Sequence, residues 1–186
     1  MKFNDHSKLA GNHAFLSASN YHWLNDDSES LKRRYLNFLA VLRGTELHEY
    51  AATAIRLKRK QPKTKETLNM YVNDAIGFDM SPEVTLFYSE NAFGTADSIS
   101  FKNNKLRIHD LKTGQSKTSF NQLYIYDALF CLEYGIKPGE IEIENRIYQC
   151  DEVRIENPTA EIIAPIISKI VTNDKIISKL KQNGGV

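Results

Sequence analysis

The feature that most narrows what this chain can become is Asn103-Asn104. The pair lies between two runs, Phe93–Phe101 and Lys105–Leu111, both rich in β-branched and aromatic residues. Asparagine tolerates positive φ, so the pair suits a two-residue type I′ turn, and such a turn fixes the register of the strands it joins. Counting outward from it, Phe101 faces Leu106, Ile99 faces Ile108 and Asp97 faces Asp110. Side chains alternate along a strand, so these pairs share one face, and Lys112 shares it too. Ser98, Ser100, Lys102, Lys105, Arg107 and His109 fall on the other face, which reads as turned to solvent or a ligand. An apolar stripe aimed at a core therefore ends in two acids and a lysine.

That ending needs compensation. Directly opposed residues have Cβ atoms only ~4.5–5.5 Å apart, and like charges there are destabilising. Lys112 neutralises part of the charge, and a hard cation such as Mg(II) or Mn(II), which prefers oxygen ligands, would neutralise the rest. The competing reading is structural, with Asp97 and Asp110 bracketing Lys112 in an ion-pair network. Geometry leaves both open.

The remaining chain reads as alternating α and β elements. Leu31, Tyr35, Phe38, Leu39 and Leu42 recur at helical spacing over 31–42; Gly44 interrupts, and a second helical stripe follows through Leu47, Ala51 and Ile55. The basic stretch with Pro62 reads as a loop, and Thr67–Ile76 as a short helix capped by Thr64 or Thr67. Val84–Tyr88 reads as a strand ahead of the hairpin, Phe120–Tyr134 as a helix stopped by Gly135, and Glu140–Tyr148 as a half-buried strand. The tail from 159 to 182 is amphipathic, with Pro165 and Asn173 expected to break it into pieces. Its isoleucines serve either core packing or a partner. The order predicts an α/β fold, a small mixed sheet flanked by helices, in one domain over 1–186.

Composition excludes several classes. No apolar run approaches the ~18 residues that cross a membrane, and MKFNDHSKLAGNH lacks the apolar stretch of a signal peptide, so a cytoplasmic location is expected. Two cysteines, Cys131 and Cys150, make no CxxC pair, which argues against a disulfide framework, a zinc ribbon or an iron–sulfur cluster; both read as small buried hydrophobes. The tyrosines at 71, 88, 124 and 148 read as packing residues. A net charge of +1 is unremarkable, but Arg56, Lys58, Arg59, Lys60, Lys63 and Lys65 crowd one stretch and Lys102, Lys105 and Arg107 another. Each cluster reads either as a phosphate grip or as a solvated face.

Asp110-Leu111-Lys112 is a D-x-K element, and Asp97 ends a G-x-x-D element begun by Gly94. Lys112-Thr113-Gly114 extends the former to D-x-K-T-G. Gly44 and His48 form G-x-x-x-H, Gln122 and Tyr126 form Q-x-x-x-Y, and Leu16-Ser17-Ala18-Ser19 supplies an S-x-S segment. These elements, in this order, resemble the PD-(D/E)XK nuclease superfamily, and within it the RecB-like branch and its phage-encoded exonucleases. The resemblance implies a restriction-endonuclease-like core, with motifs over 44–148, and a metal-dependent deoxyribonuclease. It implies that Asp97 and Asp110 hold Mg(II) or Mn(II), helped by the His48 imidazole and the Leu111 carbonyl, with Glu49 as a reserve acid. Lys112 would activate the attacking water, and Gln122 and Tyr126 would contact the DNA backbone. Thr113 and Lys117 are further candidates for DNA contact, near the N-terminus of the following helix.

The expected activity is DNA cleavage, as an exonuclease in phage recombination or DNA processing, in the host cytoplasm if phage-encoded. A homo-oligomer or a single-strand annealing partner would supply grip on DNA. The rivals are a structure-specific or nicking endonuclease using the same site, an RNA-directed enzyme, and a catalytically silent DNA- or protein-binding module. Iron–sulfur relatives of the branch carry four cysteines that this chain lacks.

Overall fold

The computed structural model describes residues 4–9 and 11–183. Its contacts divide the chain into two compact units, Met1–Arg43 and Gly44–Val186. Among the described residues the elements are α1 (Ser28–Arg56), α2 (Thr67–Gly77), β1 (Ser81–Ser89), β2 (Ala92–Lys102), β3 (Lys105–Leu111), α3 (Asn121–Tyr134), β4 (Glu142–Gln149), β5 (Glu152–Glu156) and α4 (Ala160–Gln182), with short 3-10 turns besides. No helix among them is long and apolar enough to cross a membrane.

The first unit is held by local contacts. Phe15 packs edge-on against Tyr35, Arg34 pairs with Asp26 at 2.9 Å, and the Trp23 indole N–H donates to the Ser17 carbonyl. The S-x-S segment lies here, where Ser17 Oγ accepts the Asn20 N–H.

The second unit carries a five-stranded mixed sheet in the order β1-β2-β3-β4-β5, giving the α/β architecture expected from the sequence. β3 and β4 are parallel, joined across α3; the other neighbours are antiparallel. The β2–β3 register is the one the turn dictates, with Phe101 opposite Leu106 and Ile99 opposite Ile108. Asn103 and Asn104 both adopt positive φ, 50° and 61°.

α3 and α4 cover one face of this sheet. Leu86, Ile99, Leu106, Ile108, Ile143 and Ile147 meet Leu123, Leu129 and Ile163 there, and Ile166, Ile167 and Ile170 pack at the margin. α3 stops where Gly135 turns left-handed at φ 65°, returning its N–H to the Cys131 carbonyl. α2 and the later turns of α1 cover the other face through Ala51, Ile55, Tyr71 and Val72, against Leu111 and Tyr148.

Several sequence expectations are corrected. α1 is continuous through Gly44, because a single glycine costs a helix interior only ~1 kcal/mol while Ala51, Ala54 and Ile55 bury beyond it. α4 runs unbroken past Pro165 and Asn173: the proline is exposed near the helix start, and Asp174 is pinned by Ser89 and Asn91. α2 has no local side-chain cap; Asp151, from the β4–β5 turn, accepts both the Thr67 N–H and its hydroxyl, at 2.8 and 3.0 Å. That turn is a second left-handed pair, Cys150-Asp151, and it introduces β5, a strand too short to show alternation in sequence. Cys150 is consequently exposed, whereas Cys131 is buried as expected.

The supposedly solvent-facing side of the hairpin is also covered. Ser98 and His109 are wholly buried and Ser100 nearly so, beneath α2 and the turn after it. The guanidiniums of Arg107 and Arg146 lie over the Phe78 ring, 4.6 and 4.7 Å from its centroid, and the ring is edge-on to His109. Glu144 pairs with Lys105, Arg107 and Arg146, while Lys102 and Lys58 both pair with Asp79. The second basic cluster is therefore spent on intramolecular ion pairs. Burial drives the His109 pKa down to about 3, so this imidazole is neutral.

A buried acid lies on the opposite face. Asp127 Oδ2 accepts from Asn145 Nδ2 at 2.6 Å, while Asp127 Oδ1 and Asn145 Oδ1 have no hydrogen-bond partner. Burial pushes the carboxyl up to about 8, against the lowering effect of the Asn145 bond. Protonated Asp127 carries the donor that Asn145 Oδ1 lacks. The folded-state value lies above that of an unfolded aspartate. The protonated acid therefore contributes its full stability below about pH 4, and that contribution is lost as pH rises to about 8. Urea midpoints measured across this window should fall with rising pH in the wild type, and Asp127→Asn should flatten that dependence.

Candidate active site

Where the apolar ladder of β2 and β3 runs out, the second unit gathers its acids. Asp97 and Asp110 lie one step beyond the last paired residues of the hairpin, Ser98 and His109. Asp97 Oδ2 accepts the Leu111 backbone N–H at 2.8 Å, so one carboxylate is tied to the strand that carries the other. Asp110 is 2% exposed; its Oδ1 accepts from Lys112 Nζ at 2.9 Å, and its Oδ2 is buried without a partner. Lys112 also donates to Gln122 Oε1 at 2.9 Å, and Gln122 Nε2 donates to the Tyr126 hydroxyl at 3.0 Å. A chain of hydrogen bonds thus runs from Asp110 through Lys112 and Gln122 to Tyr126, joining the end of β3 to the first turns of α3.

His48, on α1, brings its Nδ1 to 3.4 Å from Asp97 Oδ2. Ligand atoms of His48, Glu83 and Asp97 lie within 4.8 Å of one another, a group able to hold a metal ion. Glu83 escapes the sequence reading. It sits in β1 with φ 54°, a conformation that costs a non-glycine residue ~1–2 kcal/mol, yet the pairing stays in step on either side, Pro82 with Ser98 and Val84 with Ala96. Glu83 thereby comes opposite Asp97. The available signal is the alternation Glu83, Thr85, Phe87, which mirrors Phe93, Thr95, Asp97. An irregularity between Phe87 and Ser89 hides the register that relates them.

Electrostatics point to a deficit of positive charge. Burial, then Asp97, raises the Asp110 pKa against the pull of Lys112. Burial and Asp97 likewise raise Glu83, and the hydrogen bond with Asp97 raises His48 despite partial burial. Three groups are thus shifted toward holding protons, which is what carboxylates crowded around too few cations do. A divalent cation would relieve all three. The donor set, carboxylate oxygens with one imidazole, suits Mg(II) or Mn(II), and the unpartnered Asp110 Oδ2 is the buried atom such an ion would satisfy.

Two glycines make the assembly possible. A Cβ on Gly44 would stand 2.9 Å from Thr113 Oγ1, and one on Gly94 would stand 2.9 Å from the Tyr126 ring. Each glycine thus opens a close approach of another element to the site. Thr113 is brought in by this contact, and it also lines a cavity of about 250 Å³ with Leu47, Leu68, Leu111, Lys112 and Cys150. Leu111 reaches the site through its backbone. Lys117 is exposed on the loop between β3 and α3, and Glu49 is exposed on α1 outside the His48–Glu83–Asp97 group.

Comparison with known proteins adds no assignment: no protein-family model matches the chain, and no curated protein matches it.

The Gly94 contact has a measurable consequence. Gly94→Ala should destabilise the wild type by about 1–3 kcal/mol through overpacking against Tyr126. In a Tyr126→Ala background the same substitution should cost nothing. A double-mutant cycle read by urea denaturation checks this; equal costs in both backgrounds would mean that the ring does not meet the strand at Gly94.

Proposed function

We propose that this chain is a divalent-metal-dependent DNA nuclease. The observation that carries the reading is the buried, unpartnered Oδ2 of Asp110, beside the Lys112 ammonium and in the field of Asp97 and His48, which with Glu83 form a group able to hold a metal ion. Lys112 takes one oxygen of Asp110 and leaves the other without a partner, where the negative charge of Asp97 already raises the carboxyl pKa.

The resemblance of Gly44–His48, Gly94–Asp97, Asp110–Gly114 and Gln122–Tyr126 to the RecB-like branch of PD-(D/E)XK nucleases supports the same reading. So does the role of both glycines in close packing at the site. When bound, Mg(II) or Mn(II) supplies charge neutralisation at the phosphoryl oxygens and lowers the pKa of a water ligand. Asp97, Glu83 and His48 would hold the ion, with the Asp110 carboxylate as a further oxygen donor nearby. Lys112, positioned by Asp110 and Gln122, orients the attacking water and stabilises negative charge developing on the phosphoryl group. Tyr126 braces Gln122 and so keeps the ammonium pointed at the cluster. The preferred mode is attack from DNA ends.

Purified protein should degrade linear DNA with Mg(II) or Mn(II) and be silenced by EDTA, leaving closed circular DNA intact. Lys112→Ala should lower the rate by about 100-fold or more. Glu83→Gln should raise the Mn(II) concentration needed for half-maximal activity. Cleavage of circles would redirect the reading to an endonuclease. No cleavage with either metal would sink the enzyme and favour a silent binding module.

A further inference from the structure

The metal-ligating pair is the first rung of a longer ladder. On the outward face of the β1–β2 hairpin three cross-strand pairs follow one another: Glu83 with Asp97, Thr85 with Thr95, and Phe87 with Phe93. Their side chains meet in every case. Glu83 and Asp97 bring ligand atoms together, the two threonine hydroxyls are 3.0 Å apart, and the phenyl rings stack with centroids 6.5 Å apart and planes inclined by 29°. The rungs climb away from the acids in steps of two residues, ~7 Å each, comparable with the spacing of successive phosphates along an extended single strand.

The outer rungs are not core. Phe87 is 48% exposed and Phe93 61%, while the intervening Leu86 is buried on the other side of the strand. Both threonines are exposed as well. Hydrogen bonding between them engages one hydroxyl proton and leaves the other free to donate. The face thus passes from a metal-binding pair, through a neutral hydrogen-bond donor, to an aromatic surface. Base faces stack on such surfaces irrespective of sequence, but only when unpaired.

We infer that these three pairs form a track for single-stranded DNA, with an unpaired base stacked on Phe87 and Phe93 two rungs from the phosphate that is cut. The inference rests on the nuclease reading and adds its substrate class: a single strand, an overhang or a frayed end. Thr85 and Thr95 hydrogen-bond the phosphate between. The rings act as positioning residues, since they touch the strand away from the reacting atoms.

The test separates the track from the chemistry. Binding of labelled oligo(dT) in EDTA reads the track alone, and Mn(II)-dependent hydrolysis of bis(p-nitrophenyl) phosphate reads the metal site with no base present. The Phe87→Ala/Phe93→Ala variant should bind oligo(dT) about tenfold or more weakly. It should cleave single strands correspondingly slowly and hydrolyse the small diester at the wild-type rate. Phe87→Leu/Phe93→Leu, which keeps apolar surface but no rings, should also be weakened, and abasic strands should show no difference between wild type and variants. Unchanged oligo(dT) binding by the alanine variant overturns the track, as does wild-type binding by the leucine variant. A change of oligomeric state with DNA binding intact would instead assign the rings to a contact between copies. If the wild type hydrolyses neither the diester nor DNA, the nuclease reading fails, and the oligo(dT) comparison still decides whether the rings bind a strand.

Discussion

Asp97 and Asp110 lie one step beyond the last paired residues of β2 and β3, and the Leu111 N–H binds the first carboxylate to the strand that bears the second. Much of the second unit answers to the charge this concentrates. Lys112 reaches Asp110, His48 comes within 3.4 Å of Asp97, and Glu83 takes a left-handed backbone conformation opposite Asp97 in the middle of a strand. The last adds negative charge where there is already too much. A chain that only needed to fold would place a base there. Strain and like-charge crowding at one point are the usual mark of a site organised around something it binds.

The two faces of the sheet manage polarity differently. Toward α3 and α4 the core is apolar apart from Asp127 and Asn145, whose unpartnered oxygens are reconciled when the acid holds its proton. Toward α2, charge is built into the packing: Phe78 takes two guanidiniums over its ring, Glu144 gathers three cations, and Tyr148 donates to Asp74 at 2.7 Å while lying 3.3 Å from His109. This network of ion pairs and ring contacts holds β3 and β4 in place from behind. Tyr71 and Tyr148 are buried within that layer, as packing residues should be.

Local chemistry is legible in sequence where few residues decide it. Two asparagines set a turn and a left-handed glycine ends α3, while along β2 the alternation slips between Ala96 and Ile99, which both face the α3 side. Glycines 44 and 94 are visible as motif positions, but their function is not, because it depends on Thr113 and Tyr126 arriving from elsewhere. Reading Gly44 as a helix interruption and Pro165 as a break overweighted local propensity. α1 is carried by the packing of Ala51, Ala54 and Ile55 beyond Gly44, and α4 by Ile163 before Pro165 and Ile166, Ile167 and Ile170 after it.

The sequence by itself determined the hairpin register from Lys102–Lys105 to Ser98–His109, because a two-residue turn leaves the strands no freedom to slide. It also determined the order of helices and strands and the apolar stripes that make an α/β sheet. Only the tertiary structure decided that Asp151 caps α2, that the polar side of the hairpin is covered, and that Glu83 joins His48 and Asp97. Each of these depends on a contact between residues far apart in the chain. Such contacts are chosen by the packing of whole elements, which no local pattern of residue types encodes.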